Sequence, residues 1–469
     1  MDTEPGLVYD DEGACEGTHM TLDARALLRD GPMTFFQIMV VVICTLLNMI
    51  DGFDVLAISF TAPVIAKEWG VNPATLGILL SAGLAGMALG SLVLSPAADL
   101  WGRRAVVVLS TAIISVGMLG SAATSNVWEL AALRFVTGLG VGGLLASGNT
   151  LLAEYASDRW RDLSISAMVV GYSAGAIVGG SISAYLIAAF GWRAAFIFGG
   201  ACSTALLPAV LYLPESIDFI LARGGKDALA RVNAVMRRLG HQPMTALPEI
   251  TREEQSTRAV VGVFEGRFLK STLLICLSYF MLMLSFYFVL SWTPKNLVDL
   301  GFTVQQGIFG SVLLNVGGIL GGLGFGYFAG KSHARKLAPY MFVALFVSII
   351  AFGALREGLV PVMTGAFVAG FFLIGSMASL YAIVPRIYPA RVRNTGTGLA
   401  IGFGRLGAVI GPYLGGLLIG AGWQRLAYYS VLALPVLVSA VAVRRIPLFG
   451  ERPEGEKMPL GHETLRPAE

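Results

Sequence analysis

Twelve apolar runs, each long enough to cross a lipid bilayer, leave this chain few folds to choose from. A spanning helix needs about 20 mainly apolar residues. In the first half the runs fall at about 35–60, 75–96, 105–123, 127–152, 163–189 and 193–213. A polar stretch, Pro214 to Gly266, follows, with charged helical segments such as KDALARVNAVMRRLG; six more runs lie at about 268–292, 304–329, 337–355, 359–384, 395–420 and 423–443. Composition agrees, since 55% of residues are hydrophobic and 13% charged, where a soluble chain carries about 25% charged. The expected fold is an all-α membrane protein of twelve transmembrane helices. The expected division is a tail (1–32), a six-helix bundle (33–213), a linker (214–266), a second six-helix bundle (267–444) and a tail (445–469).

Several function classes fall away. A net charge of +3, spread over short loops, gives no nucleic-acid surface. Cys44, Cys202 and Cys276 sit in apolar spans and Cys15 is alone in a polar tail, so neither a disulfide framework nor a zinc spacing exists. His19, His241, His333 and His462 all fall in polar segments. Any protons crossing the membrane here must therefore ride on carboxylates. The polar, acid-rich opening is unlike a cleavable signal peptide, so both tails are expected in the cytoplasm. With that orientation the inner loops hold Arg103, Arg104, Arg159, Arg161, Lys331, Arg335, Lys336, Arg386, Arg391 and Arg393, and the outer loops Lys67, Arg193, Lys295, Arg356 and Arg425. Ten against five follows the positive-inside rule.

The two halves repeat. GYSAGAIVGGSIS at Gly171 is matched by GRLGAVIGPYLGG at Gly404, with Gly175, Gly179 and Gly180 answering Gly411, Gly415 and Gly416. SPAADLWGRR (Ser95 to Arg104) is echoed by GYFAGKSHAR (Gly326 to Arg335). Two related six-helix bundles around a midplane site form a transporter architecture.

The chemistry is densest in LLNMIDGFDVLAISFTAPVIA, where Asp51 and Asp54 interrupt the first span. An Asp near a span's centre costs about 2.5 to 3.5 kcal/mol. Three residues apart, the two share one helix face, and Gly52 between them admits a neighbouring helix. Two carboxylates so placed disfavour joint ionisation, which suits them to handling protons; the plainer role is that one pairs with a buried Arg. Arg134, in RFVTGLGVGG of span 4, is expected about 10 Å below the outer end of its helix, level with Asp51 and able to bridge to Asp51 or Asp54. The G-x-G-x-x-G in that run follows no strand, so its glycines serve helix packing. GYSAG mimics a hydrolase elbow, but no span holds a histidine to serve Ser173 as base.

Arg405 lies inside span 11 among Gly402, Gly404 and Gly407; it either offers a fork to a carboxylate ligand or pairs with an acid of the other bundle. Span 7 is aromatic: Tyr287 and Tyr279 are candidates to stack on a planar ligand, while Trp292 is expected in the interfacial belt. Asn315, Tyr381 and Arg134 are further substrate-binding candidates. In SPAADLWGRR, Asp99, Arg103 and Arg104 can clasp each other and a neighbouring helix end in one packing and release it in another. Glu154 and Arg393 are further gating candidates.

Six plus six spans, SPAADLWGRR, RFVTGLGVGG and the LPES after span 6 resemble the major facilitator superfamily over nearly the whole chain. DGFD in the first span with Pro63, and YPARVRNTGTGLAIGFGRLGAVIGP around span 11, resemble its aromatic acid:proton symporters, such as bacterial 4-hydroxybenzoate transporters. The resemblance implies uptake of a benzoate-like carboxylate with a proton across the bacterial inner membrane, by a monomer needing no cofactor or metal. It implies that Asp51, Asp54, Asp99, Arg103 and Arg104 are required, and that Arg134 and Arg405 matter. Ser95 for the loop's leading Gly, Gly330 where its echo often has an acid, and Ala176 where many relatives have Pro depart from the pattern and suggest an asymmetric gate. Three alternatives remain: a proton-driven exporter, a sugar-type porter, and a non-transporting sensor of aromatic acids.

Overall fold

The structure is a computed structural model that describes residues 33–224, 227–240, 244, 264, 266–331, 334–388 and 390–447. The N-terminal tail with Cys15, about half of the linker, the chain beyond 447 and all four histidines lie outside the described residues. Fourteen α-helices and one 3-10 turn make up the described fold, with no strand among those residues. Twelve of the helices are long and apolar enough to cross a membrane. In chain order, α1 (Phe35–Trp69), α2 (Pro73–Trp101), α3 (Arg103–Ala122), α4 (Val127–Tyr155), α5 (Asp158–Phe190) and α6 (Arg193–Leu211) form the first bundle. Two short helices, α7 (Ile217–Arg223) and α8 (Ala228–Arg238), belong to the linker. The second bundle is α9 (Gly266–Asp299), α10 (Val304–Lys331), α11 (Ala334–Ala354), α12 (Leu359–Ile383), α13 (Ala390–Gly420) and α14 (Arg425–Arg444). The bundle end nearest α7 and α8 is called the linker face, and the other the loop face.

Several helices outrun the apolar stretches that announced them. The first continues through Lys67 and Glu68 to Trp69, because turns that emerge into the headgroup layer need no apolar side chains. Start signals are conventional. Thr34 and Gln37 form a capping box on α1, and Asn72 Oδ1 accepts the Thr75 amide at 2.8 Å ahead of Pro73 in the first position of α2.

Glycines set the packing within each bundle, and they do so twice over. In the first, a side chain on Gly52 would strike the Tyr172 carbonyl and one on Gly175 the Met49 carbonyl, so α1 and α5 touch backbone to backbone. In the second, Gly407 and Gly411 press α13 onto the Phe280 and Leu284 carbonyls of α9 in the same way. Close approach of this kind requires a missing Cβ. The repeat seen in the sequence is thus a repeat of helix contacts.

Between the bundles the contacts are lopsided. At the loop face Ser81 Oγ of α2 donates to the Val409 carbonyl of α13 at 2.7 Å, and Gly77 and Gly416 meet backbone to backbone. Gly180 of α5 also abuts Val312 of α10 there. Toward the linker face, a methyl group placed on Gly398 or Gly402 of α13 would meet nothing within 4 Å. The bundles are closed on one side and parted on the other.

Candidate functional site

The DGFD segment stands where α1 faces both its own bundle and the opposite one, and its two acids have different surroundings. Asp54 Oδ1 accepts from Arg134 Nη1 at 2.8 Å, with both side chains at most 5% exposed. The rest of that guanidinium is also satisfied. Nε and Nη2 donate to Ser121 Oγ at 3.2 and 2.8 Å, Nη2 also reaches Thr137 Oγ1 at 3.1 Å and the Gly117 carbonyl at 3.3 Å, and the plane lies 4.9 Å from the Phe196 ring. Arg134, expected as a substrate ligand, is held on all sides by α1, α3, α4 and α6. A cavity of about 20 Å³ beside the pair, lined also by Leu80, Gly83 and Leu84, has room for one water.

Asp51 is 0% exposed, and neither carboxylate oxygen has a hydrogen-bond partner. The charges that bear on it are Asp54 and, from the second bundle, Arg405. Arg405 is half-buried and makes no hydrogen bond, ion pair or ring contact among the described residues. Gly402 and Gly398, earlier on the same helix, have nothing within 4 Å of where a Cβ would stand. A buried acid without a partner and a cation without a partner thus face each other across the seam.

Tyrosines surround that gap. Tyr287 of α9 interacts with Arg405, Tyr381, Asp51 and Tyr172, and Tyr381 of α12 with Arg405. Tyr381 is 47% exposed although its ring packs edge-on against the fully buried Tyr279 at 6.0 Å, so its exposure is to an internal space. The Tyr279 hydroxyl is itself buried and unpartnered. Tyr172 of α5 interacts with Tyr287, Asp51 and Arg405. The sequence reading passed over Tyr172, having tested its GYSAG setting only as a hydrolase elbow. Asn315 is tied to the Ser311 carbonyl of its own helix at 2.9 Å, away from this group. Trp292 departs from expectation: it is 1% exposed and donates to the Pro412 carbonyl at 2.9 Å, inside the second bundle rather than at the interface.

The linker-face residues form a separate cluster. Arg103 Nη2 meets Asp99 Oδ1 at 2.8 Å and lies over Phe219 of α7. Arg104 Nη2 donates to the Leu211 carbonyl at 2.6 Å, and its amide donates to Glu215 Oε1 at 3.1 Å, so the LPES glutamate caps the start of α3. Glu154 faces Ser216, Asp218, Glu215 and Arg103. Arg393 is exposed, with no ion pair among the described residues.

The sequence profile of the Major Facilitator Superfamily matches residues 44–356 and 275–467. A 4-hydroxybenzoate transporter, PcaK, of Acinetobacter baylyi is 32% identical over 432 residues, covering 90% of this chain and 94% of that protein. A gallate transporter of Pseudomonas putida is 32% identical over 426 residues, covering 90% and 94%. Among solved structures, the inward-open xylose transporter XylE from E. coli matches with a TM-score of 0.70 at 15% identity, over 88% of this chain and 97% of that one, which is a likeness of fold. Fold and site together define a multi-pass membrane transporter. The chain belongs to the major facilitator superfamily.

Proposed function

We propose that this protein imports an aromatic carboxylate together with a proton across the bacterial inner membrane, with the linker face and both tails in the cytoplasm. The observation that carries the reading is the facing pair of Asp51, fully buried with both oxygens unbonded, and Arg405, half-buried with its guanidinium unbonded. The ligand of 4-hydroxybenzoate and gallate transporters has the matching parts. Its carboxylate suits the planar fork of Arg405, and its ring suits the faces and edges of Tyr287 and Tyr381.

Proton coupling follows from charge accounting. Arg405 is the cation that faces Asp51, so a bound carboxylate that takes up this guanidinium removes the counter-charge of the acid. Asp51 is then an uncompensated charge in an apolar seam, a costly state unless it takes a proton. Anion and proton therefore favour each other's binding, and the coupling is reciprocal. Asp54, already neutralised by Arg134, is a fixed part of the helix packing and not the carrier. Rocking of the two bundles opens the seam to each side in turn. The conformation described here, closed at the loop face, is the one that releases to the cytoplasm, and in it Arg103 is paired with Asp99 and Arg104 is bonded to Leu211 and Glu215.

Uptake of labelled 4-hydroxybenzoate and benzoate into vesicles containing only this protein, driven by an imposed pH gradient, tests the reading. Accumulation should follow the gradient and vanish with Asp51→Asn. Uphill accumulation by the Asn variant refutes the assignment of Asp51; proton-driven efflux in place of uptake refutes import.

A further inference from the structure

Serines and threonines inside these helices commonly give their hydroxyl hydrogen back to their own chain. Thr111, Ser115 and Ser121 donate to the carbonyl four residues earlier at 2.8, 2.9 and 2.7 Å. Ser81 of α2 does otherwise. It is 6% exposed and donates at 2.7 Å across the seam, to the Val409 carbonyl of α13 in the second bundle. One turn back on the same face of α2, a Cβ on Gly77 would stand 3.0 Å from both the Pro412 carbonyl oxygen and the Gly416 Cα, so the two helices approach closely there. The repeat between the halves does not call for this bond. Counted back from the matched segments SPAADLWGRR and GYFAGKSHAR, the residue that answers Ser81 is Val312. Val312 packs its side chain against Gly180 of α5 and has no hydrogen to donate. The hydroxyl of Ser81 is thus an addition to one seam, over and above the repeated packing.

We propose that Ser81 is a positioning residue whose hydrogen bond to the Val409 carbonyl latches the loop face shut, one turn of α13 from Arg405. The inference rests on the transport reading above, in which the two bundles part at the loop face. Val409 follows Arg405 by four residues, on the same face of the helix. The turn that Ser81 holds is therefore the turn that begins at the guanidinium, and α13 cannot swing away from α2 without breaking the bond. Pro412 has no N–H for the Ala408 carbonyl, so the ladder of α13 lacks a rung beside the latch and can bend there. When the seam parts, the hydroxyl turns to water or to the Gly77 carbonyl of its own helix. The latch thus biases the closed state without fixing it, by the net worth of one hydrogen bond rather than its gross strength.

The test is cysteine labelling from the loop face. Val312→Cys is placed in the other seam, where Val312 is 4% exposed while the loop face is closed. A membrane-impermeant maleimide is added to right-side-out vesicles of this chain with and without Ser81→Ala, and the labelled peptides are followed separately by mass spectrometry. Alanine suits a helix, so Ser81→Ala should fold and melt close to its parent. Labelling of Val312→Cys should run about two- to tenfold faster with Ser81→Ala, the worth of one neutral hydrogen bond. Labelling of the native Cys44, buried in α1, should not change. An equal or slower rate at Val312→Cys with Ser81→Ala overturns the inference. So does a parallel rise at Cys44, which would make Ser81 a residue of general packing. If Val312→Cys is labelled in neither chain, the loop face does not open, and the transport reading fails together with this inference.

Discussion

Arg134 Nη1 lies 2.8 Å from Asp54 Oδ1, and that guanidinium gives nothing to Asp51, three residues earlier on the same helix. Two aspartates that look equivalent in the sequence are therefore unequal in the fold. One is neutralised in place, and the other waits for a partner.

This inequality should be visible in stability. Arg134→Met strands a buried carboxylate and should cost about 3 to 5 kcal/mol, much of it recovered when Asp54→Leu is added. Asp51→Asn, which removes a group without a partner, should melt no lower than the wild type. Thermal unfolding in detergent measures all three, and a large loss with Asp51→Asn would show a bond at Asp51 that this account lacks.

Two glycines separate packing from cargo space. Gly52→Ala drives a methyl group into the Tyr172 carbonyl, and since backbone cannot step aside as a side chain can, it should cost about 1 to 3 kcal/mol and impair transport. Gly402→Ala meets nothing within 4 Å and should stay within about 0.5 kcal/mol of wild type. Its methyl group lies one turn from Arg405, on the same face, so the half-saturation concentration for 4-hydroxybenzoate should rise. Melting curves and uptake kinetics on the same preparations distinguish the two effects.

A disulfide should lock the seam. The Cβ of Ala74 lies 3.6 Å from the Cβ position of Gly420, within disulfide range. Oxidised Ala74→Cys/Gly420→Cys protein should bind substrate from the linker face yet transport none, with transport restored by reductant. Undiminished flux in the cross-linked protein would mean that the loop face need not open.

Much of this was legible in the sequence, and the limits have physical causes. The twelve spans follow from hydropathy because the bilayer penalises polar side chains at depth. The Asp54 to Arg134 bridge was anticipated by matching depths along two antiparallel helices, although depth alone could not choose between Asp51 and Asp54. Trp292 was misjudged because a run apolar on every side does not show which face meets lipid and which the bundle. The nearness of Tyr172 to the DGFD segment was missed because it comes from the contact of Gly52 with a helix more than a hundred residues away in the chain. The helix contacts repeat between halves whereas the charges do not: the acids lie in α1 and the free arginine in α13, so the site exists only where the two bundles meet.

Proton counting on binding tests the central claim most directly. Purified protein in a weakly buffered solution with a pH indicator is mixed with saturating benzoate or 4-hydroxybenzoate, and the protons removed from solution are counted against the ligand bound. At a pH where Asp51 is initially ionised, the account predicts uptake approaching about one proton per anion, lost with Asp51→Asn. No uptake by the wild type at any pH where it binds, or equal uptake by the Asn variant, would contradict it.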